Sequence, residues 1–354
     1  MKIALITDAW HPQVNGVVRT LDTVIEILRQ WGHEVLVVSP DQFRSVAAPS
    51  YPEIRLAMTR ARNVGKKISD FQPDAIHLAT EGPLCVSARR WCKRKKYAFT
   101  TAYHTNFPDY LAKRTHLSAR FFWPYIRWFH GRSRAIMVAT HTVRRQLVEK
   151  RLSQVHDWSR GVDLRHFSPE AAPPELFAAL PRPIQLYVGR IAVEKNIQAF
   201  LDTDQRGCKV VVGDGPALDQ LRMQYPDIHF LGHQSGEALA GCYAGADVFV
   251  FPSKTDTFGL VLIEALACGT PVAAFPVTGP IDILTEKSGV MAEDLNAAIA
   301  QAQGLSSGDC IRHAAQFSWP ASARQFLDGL VPMETERKAH MSRRFLAKAI
   351  FANG

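Results

Sequence analysis

Residues 248–275 read VFVFPSKTDTFGLVLIEALACGTPVAAF, and they decide the fold. Val248 to Phe251 form an apolar run of strand length, which Pro252 and Ser253 stop. A polar loop follows as far as Gly259. From Leu260 the apolar run is too long for a strand, and it ends at Gly269 before a second apolar segment at 271–275. Strand, loop, helix and strand make a βαβ unit, and a helix apolar on all sides belongs inside a core. One carboxylate, Glu264, stands in that helix among Leu260, Val261, Leu262, Ile263, Leu266 and Ala267. An unpaired buried ion costs several kcal/mol, so a partner must come from the protein or from a ligand.

The same alternation runs outward from this stretch. Strands are expected at 184–188, 209–212, 228–231, 248–251 and 271–275, with a helical segment at 237–246. The N-terminal half repeats the scheme, with strands at 3–7, 34–39, 75–79, 98–103 and 135–140. Between its first two strands, Val17, Leu21, Val24, Ile25 and Leu28 recur at helical spacing until Gly32 stops the pattern. The alternation pauses only at 168–176, SPEAAPPEL, which has the composition of a linker. The expectation is therefore an α/β chain with two doubly wound domains, 1–167 and 168–318, facing each other across a cleft. A crossing-back helix and a basic amphipathic tail fill 319–354.

Bulk composition narrows the partners. The 354 residues are 47% hydrophobic and 21% charged, enough for two cores. A net charge of +9 predicts attraction to polyanions: nucleic acid, an anionic membrane or phosphorylated small molecules. The six cysteines, Cys85, Cys92, Cys208, Cys242, Cys268 and Cys310, form no Cys-x-x-Cys pair, so neither zinc nor a disulfide framework is indicated and a reducing cytoplasm fits. Asp8 interrupts the opening KIALIT too early for a signal peptide. No run approaches the roughly 20 apolar residues of a membrane span, so any membrane contact is expected at the surface.

Four stretches of the C-terminal half carry chemistry. In YVGRIAVEKN, Gly189 allows a close turn after a strand, and Arg190 and Lys195 follow; the pair would neutralise a diphosphate or simply face water. In VVGDGPALDQL, Gly213 and Gly215 close a strand but lack the third glycine of the dinucleotide fingerprint. The first βα turn, PQVNGVVRTL with Asn15-Gly16, lacks it too, which weighs against a nicotinamide-dependent dehydrogenase. In the opening stretch, a helix starting near Phe258 or Gly259 presents free N–H groups to a phosphate oxygen. Asp256 in the preceding loop and Glu264 in the helix can then reach one cleft. Glu264 would accept two hydroxyls of a ribose diol, or pair with an Arg or Lys of its own domain. Lastly, Gly279-Pro280 in VTGPIDIL would close the same rim.

The order Gly189-Arg190, Glu194-Lys195, Gly213-x-Gly215-Pro216, Asp256-x-Phe258-Gly259-Leu260, Glu264-Ala265 and Gly269-x-Pro271-Val272 resembles the retaining, nucleotide-sugar-dependent glycosyltransferases of family 4, which have the GT-B fold. The resemblance runs from Gly16 to Trp319, and its signature is two acids with seven residues between them. It implies that Arg190 and Lys195 hold the donor diphosphate and that Glu264 binds the ribose. Asp256, with the backbone of Phe258, Gly259, Leu260 and Val261, would hold the transferred sugar and the distal phosphate. Gly189 and Gly215 would line the donor site, Gly16 would approach the phosphates, and His104 in TAYHTNFPDY would sit beside the reacting sugar. A histidine after a strand is otherwise more often structural. No metal or other cofactor is implied: Asp202-Thr-Asp204 spells the metal motif of the other glycosyltransferase fold but lies at the end of a helical pattern. One position departs from the family, which usually has Glu where this chain has Asp256.

The acceptor belongs to the N-terminal half. ARRWCKRKKY gathers Arg89, Arg90, Lys93, Arg94, Lys95 and Lys96, and the segment 113–134 interleaves Lys113, Arg114, Arg120, Arg127, Arg132 and Arg134 with Phe121, Phe122, Trp123, Tyr125, Trp128 and Phe129. Arg337, Lys338, Arg343, Arg344 and Lys348 add a basic tail among Met341, Phe345, Leu346, Ile350 and Phe351. Cations among aromatics suit an interfacial surface, or else an aromatic core helix with a solvated face. With Asn106, these residues predict a lipid acceptor on the inner face of the cell membrane. DAWHPQVNGVVRTL, ATEGP and YHTNFPDY are similar to bacterial diacylglycerol glucosyl- and glucuronosyltransferases using UDP-sugars. They also fit mannosyltransferases acting on phosphatidylinositol or polysaccharide. A non-catalytic nucleic-acid-binding protein is the rival of another class.

Overall fold

A computed structural model describes residues 1–333 apart from 14, 49, 50, 105, 109–111, 113–116 and 255. Lys113, Arg114 and the basic tail beyond 333 lie outside the described residues. Two six-stranded parallel sheets organise the chain. The first holds β1 (Lys2–Ile6), β2 (Glu34–Val38), β5 (Ala75–Leu78), β6 (Thr100–Ala102), β7 (Ile136–Val138) and β8 (Val155–Asp157) in the order β2-β1-β5-β6-β7-β8. The second holds β9 (Ile184–Val188), β10 (Cys208–Val212), β11 (His229–Gly232), β12 (Val248–Phe251), β13 (Val272–Ala274) and β14 (Gly289–Met291) in the order β11-β10-β9-β12-β13-β14. A two-stranded antiparallel ribbon, β3 (Ser45–Ala48) with β4 (Tyr51–Ala57), follows β2. In each sheet the winding reverses once, between β1 and β5 and between β9 and β12. A ligand site is expected at the carboxyl ends of those strands.

The expected strands form within two residues of their forecast ends. β9 and β12 match at both ends because four or five consecutive buried residues mark a strand covered on both faces. The structure adds β3, β4, β8 and β14. β8 and β14 are three-residue strands at sheet edges, their side chains half-buried or, at Asp157, exposed, so they carry no buried apolar run. The helix Gly16–Gln30 buries Val18, Leu21, Val24, Ile25 and Leu28 on one face, and its first turn is capped by the Asn15 side chain, which accepts from Val17 and Val18 N–H at 3.0 Å each. All six cysteines are buried free thiols.

The chain crosses back to the first half at its end. The helix Trp319–Gly329 packs on Gly16–Gln30, and Phe326 joins Leu21, Val24 and Trp158 in one core cluster. Trp158 Nε1 donates to Ser322 Oγ at 3.1 Å, and Ser159 N–H donates to Gln325 Oε1 at 2.7 Å. Among the described residues no helix is long and apolar enough to cross a membrane.

Candidate active site

The two switch points meet across the cleft. After β9, Gly189 and Arg190 lie against the turn after β10. A Cβ on Gly213, whose φ is +141°, would come 1.9 Å from the Gly189 carbonyl oxygen, and one on Gly215 would come 2.3 Å from that of Ile191. These glycines therefore serve a backbone-to-backbone approach of two loops, a requirement that exists before any ligand binds. Lys195 ends a short 3-10 turn, and its Nζ lies 2.6 Å from Asp256 Oδ1, both side chains partly exposed. Asn196 Nδ2 donates to Pro252 O at 3.0 Å, which ties the Lys195 turn to the loop carrying Asp256. Residues 61 positions apart in sequence thus form one charged pair.

Gly259, with φ +88°, caps the helix Leu260–Ala267, in agreement with the expected start. Leu262, Ile263, Ala265, Leu266 and Ala267 are buried in it, and so is Glu264, at 3% exposed. The puzzle of that carboxylate has a structural answer. Arg19 Nη1, from the helix of the first half, donates to Glu264 Oε1 at 2.6 Å, and Tyr243 OH donates to Oε2 at 3.1 Å. The ion pair is real, but its cation comes from the opposite half, whereas the sequence suggested an Arg or Lys of the same domain. Burial pushes the Glu264 carboxyl above its ordinary range, and Arg19 and Tyr243 draw it back only in part. The Arg19 side chain is 46% exposed, so the bond sits where the cleft opens. Gly16 lies one turn before Arg19. A Cβ there would be 3.6 Å from Leu260 Cδ1, so the N-terminal ends of the two helices face each other.

His104, two residues past β6, reaches the same place. Thr257, next to Asp256, donates its hydroxyl to the His104 carbonyl, and Thr140 Oγ1 donates to Thr257 O at 3.3 Å. Gly279 packs on the Phe258 carbonyl, where a Cβ would stand 2.7 Å away, so GPIDIL does close the rim. Arg160 Nη2 bonds His104 Nδ1 at 2.9 Å. On the neighbouring strand end, Glu81 is buried with Oε1 3.3 Å from Nε2 of the fully buried His130. Asn106 Oδ1 accepts from Tyr103 OH at 3.1 Å. Arg19, Tyr243, Arg160, Thr257 and Glu81 escaped the reading of the sequence. Arg19 carries one trace there, since it is a polar position on the open face of a helix whose buried face is apolar apart from Thr20.

The acceptor-side cluster needs two corrections. Arg89 is 3% exposed and belongs to no surface: Nε donates to Phe129 O at 2.8 Å, Nη2 donates to Trp128 O, and the guanidinium lies 4.1 Å over the Trp128 ring. It closes the last carbonyls of the helix Trp123–His130. Trp123 is also buried, with Ile126 and Phe129 on the inner face of that helix. Arg90, Lys93, Arg94, Lys95 and Lys96 are exposed, as are Arg120, Phe121, Arg127, Trp128 and Arg132. Through the Arg89–Trp128 contact the two groups adjoin. Asp202 does not stand in the cleft motif; it accepts the Tyr225 hydroxyl at a helix end.

Two facing Rossmann-like halves with an acid, a lysine and a helix N-terminus at the switch point define a GT-B glycosyltransferase. Residues 14–166 match the profile described as Glycosyltransferase Family 4, and residues 182–305 match that of Glycosyl transferases group 1. A GDP-mannose-dependent alpha-mannosyltransferase of Mycolicibacterium smegmatis is 31% identical over 80% of this chain and 82% of its own length. An alpha-monoglucosyldiacylglycerol synthase of Streptococcus pneumoniae is 28% identical over 77% of this chain and 71% of its own. Among solved structures, sucrose-phosphate synthase from Thermosynechococcus elongatus superposes with a TM-score of 0.73 at 22% identity, covering 98% of this chain and 99% of that one. The chain belongs to the family 4 glycosyltransferases and is a nucleotide-sugar-dependent enzyme.

Proposed function

We propose that this enzyme moves a hexose or hexuronic acid from a UDP-sugar to the free hydroxyl of a diacylglycerol-type lipid at an anionic membrane surface, with retention of configuration. The observation that carries the reading is the convergence of Glu264, the Lys195–Asp256 pair and His104 at the joined switch points. Glu264 accepts the ribose hydroxyls in exchange for Arg19. Lys195 and Arg190, with the N–H groups from Phe258 to Val261, take up the charge that develops on the departing diphosphate, so no divalent ion is required. Asp256 and His104 hold the sugar, and the acceptor hydroxyl attacks from the N-terminal half. A second reading, GDP-mannose as donor to a lipid or polysaccharide, is favoured by the 31% identity to the mycobacterial mannosyltransferase.

The test is incubation with diacylglycerol vesicles or membranes and labelled UDP-, GDP- and ADP-sugars, with and without chelator. Chelator-resistant glycolipid from UDP-sugar is expected. Product from GDP-mannose alone would select the second reading, and no glycolipid from any donor would remove the lipid acceptor.

The membrane surface has its own check. Replacing Arg90, Lys93, Arg94, Lys95 and Lys96 by Ser should lower partitioning onto anionic vesicles by about tenfold or more, since each basic residue near such a surface contributes about 1 kcal/mol. Nucleotide affinity should be unchanged. Arg89 is left in place because it holds a helix end. Unchanged vesicle binding would make the cluster an ordinary solvated face.

A further inference from the structure

Arg160 presents an anomaly that the donor site does not absorb. It is 5% exposed, yet all its partners among the described residues are neutral. Nη1 donates to Trp158 O at 2.6 Å and Ser159 O at 3.1 Å, the guanidinium lies 4.5 Å over the Trp158 ring, and Nη2 meets His104 Nδ1 at 2.9 Å. A guanidinium has only donors. Nδ1 must therefore be the acceptor, which leaves the imidazole proton on Nε2. That atom is itself buried and has no hydrogen-bond partner among the described residues. A buried polar group without a partner costs about 1–3 kcal/mol, a cost usually kept where a ligand completes the bond.

We propose that Arg160 is a positioning residue for His104: by donating to Nδ1 it fixes the tautomer whose Nε2–H is the ring's one donor, so that His104 gives a hydrogen bond to the transferred sugar and cannot take a proton from it. The inference rests on the reading of His104 as the group beside the sugar. The other groups around the ring agree with it. The Trp158 ring stands edge-on at 5.2 Å, the Thr257 hydroxyl holds the His104 carbonyl, and His77 is fully buried and neutral, its pKa pushed down to about 3 by desolvation. Burial, with the Arg160 charge adding to it, holds the His104 imidazole well below the usual histidine range. The ring is thus neutral in any ordinary assay, and only its tautomer is open to control.

The test combines a spectrum with a double-mutant cycle. In protein labelled with 15N-histidine, the His104 signals, assigned by their absence in His104→Gln, should show the proton on Nε2 from pH 5.5 to 8. Arg160→Met should give a mixture of tautomers. Its kcat should fall by about tenfold, against about twofold or less when the same change is made in the His104→Gln background. Donor KM should move little in either. A proton on Nδ1 in the unaltered protein would refute the proposal with no variant needed, so poor folding of Arg160→Met cannot shelter it. Equal losses of kcat in both backgrounds would make Arg160 a structural residue of its loop. If His104→Gln itself keeps full kcat while Arg160→Met shifts the tautomer, the role of His104 at the sugar fails and the tautomer control stands.

Discussion

Glu264→Gln is expected to lower kcat/KM for the nucleotide sugar by about a thousandfold while leaving the fold and vesicle binding intact. The replacement keeps the shape of a side chain packed among Leu262, Ile263 and Leu266, so no cavity opens. It removes the charge and turns one acceptor into a donor. That donor would face either Arg19 Nη1 or Tyr243 OH, both of which already donate to the carboxylate. Hydrogen bonds to a charged acceptor contribute about 2 kcal/mol each. Two ribose hydroxyls therefore correspond to about 4 kcal/mol, or roughly three orders of magnitude in rate. Calorimetry with the bare nucleoside diphosphate should show most of this loss in binding, because the ribose contact exists before the sugar moves. Acidity supplies a second signature. Burial raises the Glu264 pKa, so as pH falls this group is protonated earlier than a surface glutamate, and nucleotide affinity should drop with it. The Gln variant, already neutral, should lack that acid limb. Wild-type activity in the variant would leave Glu264 as the buried half of a cross-cleft ion pair and nothing more.

The difference between what the chain reveals in one dimension and what it builds in three follows from periodicity and distance. Fully buried parallel strands such as β12, and β9 apart from Gln185, announce themselves as apolar runs, and the glycine-capped helix after β12 does the same apart from Glu264. The acid pair and His104 are legible because each lies at a strand end or in the helix that follows one, where an α/β sheet presents side chains to ligands. Arg89 shows the failure most clearly. ARRWCKRKKY reads as one basic block, but the helix Pro83–Lys95 turns Cys85, Ala88, Arg89 and Cys92 inward together, and only the remaining cations meet water. Helical spacing could have separated them; charge density alone could not. Trp123 and Trp128 part in the same way, one on each face of a helix. Arg19 and Arg160 were beyond reach for a different reason. Their meaning lies in partners 245 and 56 residues away in the chain, and no local pattern encodes a contact between residues so far apart in sequence.

Lys195→Ala and Asp256→Ala should both cost transfer at least about a hundredfold, but they should part company in nucleotide binding. The two side chains neutralise each other at 2.6 Å in a partly exposed site. Removing Lys195 takes away a cation whose value grows along the reaction, since the diphosphate gains negative charge as the glycosidic bond breaks. The loss therefore falls on kcat more than on KM, and affinity for the nucleoside diphosphate drops as well. Removing Asp256 does the reverse to the ground state. It frees Lys195 of a competing anion, so the nucleoside diphosphate should bind at least as tightly as before, while the sugar loses its hydrogen-bond acceptor and transfer collapses. Combining the two changes should cost transfer more than either alone, since one acts on the diphosphate and the other on the sugar, and any shortfall from additivity measures the direct contact between the two side chains. Titration of the four proteins with nucleoside diphosphate, beside their turnover rates, measures this separation. A Lys195→Ala enzyme within about threefold of wild type in kcat would show that the departing charge is carried elsewhere, by groups such as Arg190 and the helix N-terminus at Leu260.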